Sequence, residues 1–312
     1  MALLRGTLDL WPDAARQMGV AHVEHGLRGE QGHRDAEWVQ RAAESQAVPF
    51  IGLQVDVKAL QAERQGTIEE TARRARYEQL SATALERNYA FVVTAHQRDD
   101  QIETILYNIL RGTGLRGLQG MPAVRPLHDG PSLVRPMLDI QRSAVTAWLS
   151  ERNIEWRTDE SNESPKFTRN RLRNDLLPHL RQHYNPQLDS VLTRMSQQIS
   201  EAVQCMDELA EQALGSAVLE QQPSCCRLDC SKLCEWPVAI IRHAFTLLWI
   251  RQSWPRKRMT FDHWQLLASV VMTGSPASAS LPSGIVMQRG GAVLRLFLQD
   301  PATNASVNSQ SD

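Results

Sequence analysis

Between Gly19 and Val93, short β-branched runs alternate with stretches whose apolar residues recur at helical spacing. That alternation is the signature of a parallel α/β sheet. Strands are predicted at 20–23, 50–55 and 91–94, with a helix over 34–45. Thr67-Ile68-Glu69-Glu70 opens a second helix, because this spacing lets Glu70 reach back to the N-cap amide in a capping box. A third helix is predicted over 99–110, where Ile102, Ile105, Leu106, Ile109 and Leu110 form an apolar stripe. Gly112 and Gly114 stop it.

Residues 121–136 hold prolines at 122, 126, 131 and 136 and read as a loop returning toward the sheet. Beyond Arg142 the periodicity is helical: 143–152, 173–183, then a long stretch from Pro186 to about Glu220 that Pro223 ends. Residues 225–298 read as a small α+β unit closing in a hairpin, 284–288 with 293–298, around Gly290-Gly291. The Ser/Asn/Thr-rich tail after Pro301 reads as disordered. The expected layout is an α/β domain over 1–185, a connecting helix over 186–222, a small second domain over 223–300 and a tail over 301–312.

A chain of 312 residues exceeds the size at which one hydrophobic core usually stops growing, which agrees with two domains. No apolar run reaches membrane-span length and no secretory leader is visible, so a cytoplasmic protein without membrane contact is expected. With 34 basic and 35 acidic residues the net charge is -1, so nucleic-acid binding would have to rest on local patches. Five cysteines, four of them at Cys225, Cys226, Cys230 and Cys234, do not read as a disulfide framework. Cys226, Cys230 and Cys234 would stack on one helical face and could hold zinc or an iron-sulfur cluster; the alternative is buried or idle thiols.

The segment from Thr94 to Thr104 sets His96, Asp99, Asp100 and Glu103 where a buried strand hands over to a helix, the edge at which open α/β sheets bind ligands. N-capping accounts for one carboxylate but not for three with a histidine. A metal-nucleotide site is the sharper reading, since Mg²⁺ takes oxygen ligands and grips phosphates through one or two carboxylates.

Three ordered strings, residues 21–30, 69–77 and 96–100, resemble tRNA(Ile)-lysidine synthetase. The resemblance continues through 111–118, 135–138, 159–162 and 167–173, and fades beyond Glu201. It implies an N-type ATP pyrophosphatase (adenine nucleotide alpha hydrolase-like) domain of parallel-sheet α/β fold, followed by a mainly helical and α+β tRNA-binding domain. The implied enzyme uses ATP and Mg²⁺ to adenylate the wobble cytidine of the CAU anticodon of tRNA(Ile). Free L-lysine then displaces AMP and forms lysidine. Carried over by position, Asp99 and Asp100 stand nearest metal and lysine, with His96 and Glu103 supporting them. Arg111, Gly112 and Gly114 would edge the nucleotide pocket, while Arg169 and Arg173 would approach phosphate or the activated cytidine. The competing reading of that arginine pair is a solvated basic face paired with Asp159 or Asp175. Arg73 and Arg76, beside Tyr77, fit either the nucleotide site or an ordinary helix surface. His22 and His25 flank a turn that faces the nucleotide in this fold.

For the second domain, Arg251, Arg256, Lys257 and Arg258 among Trp249 and Trp254 suggest phosphate pairing with base stacking; the alternative is a core helix with a charged exit. A homodimer is left open. The S-G-G-x-D-S phosphate loop of the resembled family has no match here, and residues 1–18 fit the helix that should follow it. The expectation is a chain that starts late, with this polypeptide alone inactive. The competing functions are a degenerate tRNA-binding homologue and another enzyme of the same fold such as a tRNA thiolase.

Overall fold

The computed structural model describes residues 1–26, 29–63, 67–127, 130–157 and 168–299. The chain opens with α1 (Ala2–Leu10), which a 3-10 turn at Pro12–Arg16 follows. Pro12 cannot continue a helix, so the helical reading of 1–18 splits there. Next come β1 (Val20–Glu24), α2 (Glu30–Glu44), β2 (Phe50–Gln54), α3 (Val57–Glu63), α4 (Ile68–Glu86) and β3 (Phe91–Val93). They are followed by α5 (Arg98–Arg111), α6 (Leu115–Leu118), β4 (Val124–Pro126), β5 (Ser132–Val134) and α7 (Arg142–Glu151). After α8 (Thr168–Arg171) a π-helical turn at Leu172–Leu176 leads into α9 (Leu177–His183) and the long α10 (Leu188–Ala217).

Local chemistry explains the helix ends. The Thr67 hydroxyl accepts from the Glu70 amide and starts α4 at the expected position. Gly112, at φ 72, stops α5 in a conformation that a side chain would strain.

β1 and β2 pair in parallel, and β3 pairs in parallel with β5. These are two hydrogen-bonded sheets rather than one, the second having the order β3-β5-β4 with β4 antiparallel. They share a hydrophobic layer, since Val23 and Leu53 pack against the cluster of Tyr77, Leu80, Val92 and Leu133. The predicted loop over 121–136 is corrected here: it carries β4 and β5. Its prolines sit at an edge or in turns, where a missing amide costs no ladder bond, so proline density did not exclude strands.

The chain divides into two compact units between Gln197 and Gln198, inside α10 and away from both expected boundaries. The predicted connecting helix is also shorter than expected. Residues 218–222 form β6 (Val218–Gln222), because Pro223 sits in a hairpin turn to β7 (Cys225–Asp229) instead of capping a helix. The second unit continues with α11 (Cys230–Leu233), α12 (Val238–Arg251), α13 (Phe261–Thr273), β8 (Ser278–Leu281), β9 (Ile285–Gly290) and β10 (Val293–Leu298). Its antiparallel sheet has the order β6-β7-β10-β9-β8. Cys226, Leu228, Leu294, Leu296 and Met287 point from one face into a core filled by Phe245, Leu248 and Trp249 of α12 and Leu267 and Val271 of α13. The tail over 301–312 lies outside the described residues. Among the described residues no helix is long and apolar enough to cross a membrane.

Candidate active site

β3 and β5 end side by side, with the Thr94 amide donating to the Val134 carbonyl at 3.0 Å. The next residues turn into α5, so the charged groups of its first turns gather at the carboxyl edge of a parallel strand pair. Asp100 closes the helix start by accepting from the Gln97 amide at 2.8 Å through Oδ2. Its Oδ1 accepts from Arg173 Nη2 at 3.1 Å and lies 3.7 Å from Arg142 Nη2. Asp99 Oδ2 accepts from the Arg142 amide at 2.9 Å and so caps the first turn of α7. Glu103, 3% exposed, takes two bonds from Arg173: Nε to Oε1 at 2.5 Å and Nη2 to Oε2 at 2.9 Å.

Each of the three carboxylates therefore has a structural partner, which corrects the expectation that capping explains only one. The solvated-face alternative for Arg173 does not hold toward Asp175, while Asp159, the other partner it named, lies outside the described residues. The π-helical turn turns it inward to Glu103 and Asp100 rather than toward Asp175. Arg169 lies 3.5 Å from the Thr104 hydroxyl, one turn along α5.

Burial pushes the Glu103 carboxyl up, against the downward pull of the Arg173 bonds and charge. Burial likewise lowers Arg173, but the Glu103 bond and the charges of Glu103, Asp100 and Asp99 outweigh it and raise the guanidinium. His96 Nδ1 is 2.9 Å from the Thr94 hydroxyl. Burial brings His96 down to about 4, opposed by Asp100 and reinforced by Arg135, Arg73 and Arg76. Its imidazole is neutral at neutral pH, a hydrogen-bonding group rather than a cation.

Arg73 Cζ stands 5.3 Å from the centre of the buried Tyr77 ring and Arg125 Cζ 5.0 Å from it. Burial lowers Arg73; Tyr77 opposes this, and Arg169, Arg135 and Arg76 add to it. Arg125 and Arg135 were missed as site residues. The signal available was an arginine directly after the apolar pair Leu133-Val134, since arginine is rarely buried without a partner.

The remaining candidates are dispersed. His22 is half-buried on β1, lowered by burial against the opposing charges of Asp35 and Glu24. Arg111, Gly112 and Gly114 lie at the far end of α5, ~18 Å from Asp100 at the helical rise. Arg111 is bonded to the Tyr107 hydroxyl at 2.7 Å, and an added Cβ at Gly112 or Gly114 would meet open space. Arg28 and the 159–162 block lie outside the described residues.

In the second unit the stacking role of the indoles is corrected. Trp249 and Trp254 are 0% and 4% exposed and pack edge to face at 4.9 Å. Indole area drives them into the core, while Arg256, Lys257 and Arg258 stay on the surface and Arg251 pairs with Glu211. The stacked-thiol expectation fails as well, because Cys226 lies on β7, Cys230 on α11, and all five cysteines are free. Burial raises Cys226 to about 12. Among the described residues no group of three or more His, Cys, Asp or Glu is arranged to hold a metal ion.

Parallel strands whose ends gather carboxylates and guanidinium groups define an α/β protein of the nucleotide-handling kind. Residues 1–180 match the family described as PP-loop domain, and the chain belongs to that family. A tRNA(Ile)-lysidine synthase from Nostoc sp. is 34% identical over 68% of this chain and 60% of its own length. One from Geobacter sulfurreducens is 33% identical over 86% of this chain and 57% of its own. The chain thus spans little more than half the length of these relatives. The U34-tRNA thiolase NcsA from Methanococcus maripaludis aligns in structure with a TM-score of 0.46 at 13% identity, over 58% of this chain and 61% of that one.

Proposed function

We propose that this chain takes part in the ATP-dependent ligation of lysine to the wobble cytidine of a CAU-anticodon tRNA(Ile) in the cytoplasm, through an adenylated cytidine. The observation that carries the reading is the Asp99, Asp100, Glu103, Arg173 and His96 constellation at the strand edge of a PP-loop domain. It is supported by relatives that are tRNA(Ile)-lysidine synthases.

In this reading Asp99 and Asp100 hold the lysine ammonium and accept its proton, since an amine must lose charge before it attacks. Arg173 fixes Asp100 and Glu103 against each other, and Arg169, held near the Thr104 hydroxyl, would reach the phosphate. Neutral His96 hydrogen-bonds substrate without adding positive charge. Carboxylate oxygens suit Mg²⁺, and Asp99 and Asp100 would hold it with the ATP phosphates supplying the other ligands. The ion supplies charge neutralisation at phosphate.

The second unit would hold tRNA. Arg256, Lys257 and Arg258 are exposed there, and Arg227 lies directly opposite Arg295 in the β7–β10 register, both exposed. Arg227 is paired with Glu220 at 3.4 Å, and the exposed Arg295 beside it adds a cation that a backbone phosphate would suit. The test is ATP-dependent incorporation of labelled lysine into CAU-anticodon tRNA(Ile) transcript. Incorporation that a changed anticodon abolishes supports the reading; AMP release without lysine incorporation favours another PP-loop modification.

A further inference from the structure

The three-stranded sheet carries a second group of cations that the proposed chemistry leaves unused. In the β4–β5 register Arg125 faces Leu133, and the Arg135 amide donates to the Ala123 carbonyl at 2.8 Å. Alternation therefore puts Arg125, Leu133 and Arg135 on one face of the sheet. Leu133 packs in the same cluster as Tyr77 of α4, so this is the face that α4 covers. Thr94, one residue past β3 and two beyond Val92, which faces Leu133, lies on it too and holds His96.

Arg135 is 2% exposed. Its Nη1 donates to the Pro122 carbonyl at 2.7 Å, yet its buried Nε has no hydrogen-bond partner among the described residues. The charged neighbours that act most on Arg73 are Arg169, Arg135 and Arg76, and on Arg125 it is Arg135, with the Tyr77 phenol hydrogen-bonded to Arg125; no carboxylate is among them. Burying guanidinium groups together without an acid is costly unless an anion completes the set.

We propose that Arg135, with Arg125 and Arg73 stacked on Tyr77, forms a built site for one phosphate group of the substrate. The proposal rests on PP-loop membership for a phosphorylated substrate, and not on lysidine as the product. The phosphate belongs either to the nucleotide or to the RNA backbone, and planar guanidinium forks suit both.

The test is titration of the intact chain with ATP, inorganic pyrophosphate and an anticodon stem-loop RNA, in wild type and in R125Q, R73Q and R135Q. Loss of ~10- to 100-fold in affinity for ATP and pyrophosphate, the span of a charge-assisted bond, assigns the site to the nucleotide. Weakened stem-loop binding with a salt slope lower by about one assigns it to the RNA backbone. Thermal melting separates binding from folding; should buried R135Q not fold, R125Q and R73Q carry the test. Unchanged affinity for all three probes in folded R125Q and R73Q overturns the proposal, as does a wild type that binds none of them. Lysine incorporation, measured separately, can fail while the phosphate site stands.

Discussion

Glu103 and Arg173, 70 residues apart in the chain, share a two-pronged ion pair whose carboxylate side chain is 4% exposed and whose guanidinium is 22% exposed. Removing one partner leaves the other buried and uncompensated. R173M should cost about 3–5 kcal/mol in urea unfolding. The loss should shrink as pH falls, since a protonated Glu103 needs no cation. A double variant, E103L/R173M, should recover most of the stability; additive losses would show that the two side chains do not couple.

His96 should make the fold acid-sensitive. Its folded value of about 4 lies below the ordinary histidine value of about 6.5. Between those values the unfolded chain binds the proton and the folded chain does not, so its contribution falls as pH drops through this window and levels off below it. H96Q should therefore lose less melting temperature than wild type between pH 7.5 and pH 5. Equal drops in both proteins would remove His96 as the cause.

Asp99 combines a cap with a proposed chemical role. Asparagine caps a helix as well as aspartate does, so D99N should melt near wild type while D99A loses about 1 kcal/mol. In an enzyme that carries the phosphate loop, both should lose lysine transfer and keep tRNA affinity. Transfer by D99N at the wild-type rate would leave Asp99 as a cap alone.

The second unit separates packing from charge. W249A should lose about 3–5 kcal/mol of stability, the range for truncating a core aromatic residue. R256A/K257A/R258A should melt like wild type while binding tRNA more weakly and with a flatter salt dependence, by about one in slope for each phosphate no longer neutralised. An unchanged salt slope would take tRNA binding away from this segment.

Much of the fold was legible because it follows from local pattern. The β1, β2 and β3 runs, the Thr67 start of α4 and the stripe of α5 are set by neighbours within a few residues. β4 and β5 were not legible, because three-residue strands among prolines leave no period to detect. The buried indoles were misread for a related reason: sequence shows that Trp249 and Trp254 stand beside cations, but not which way a helix face turns.

Sequence by itself determined the PP-loop α/β character, the strand-to-helix segment from Thr94 to Thr104, and the gathering of His96, Asp99, Asp100 and Glu103 on it. Only the tertiary structure decided the partners of these groups. Asp99 meets the Arg142 amide 43 residues away, Asp100 meets Arg173 73 residues away, and Arg135 closes on a face shared with Arg125 and Tyr77. Ion pairing and burial depend on distance in space, and strand pairing fixes that distance over stretches of chain where spacing along the sequence carries no trace of it.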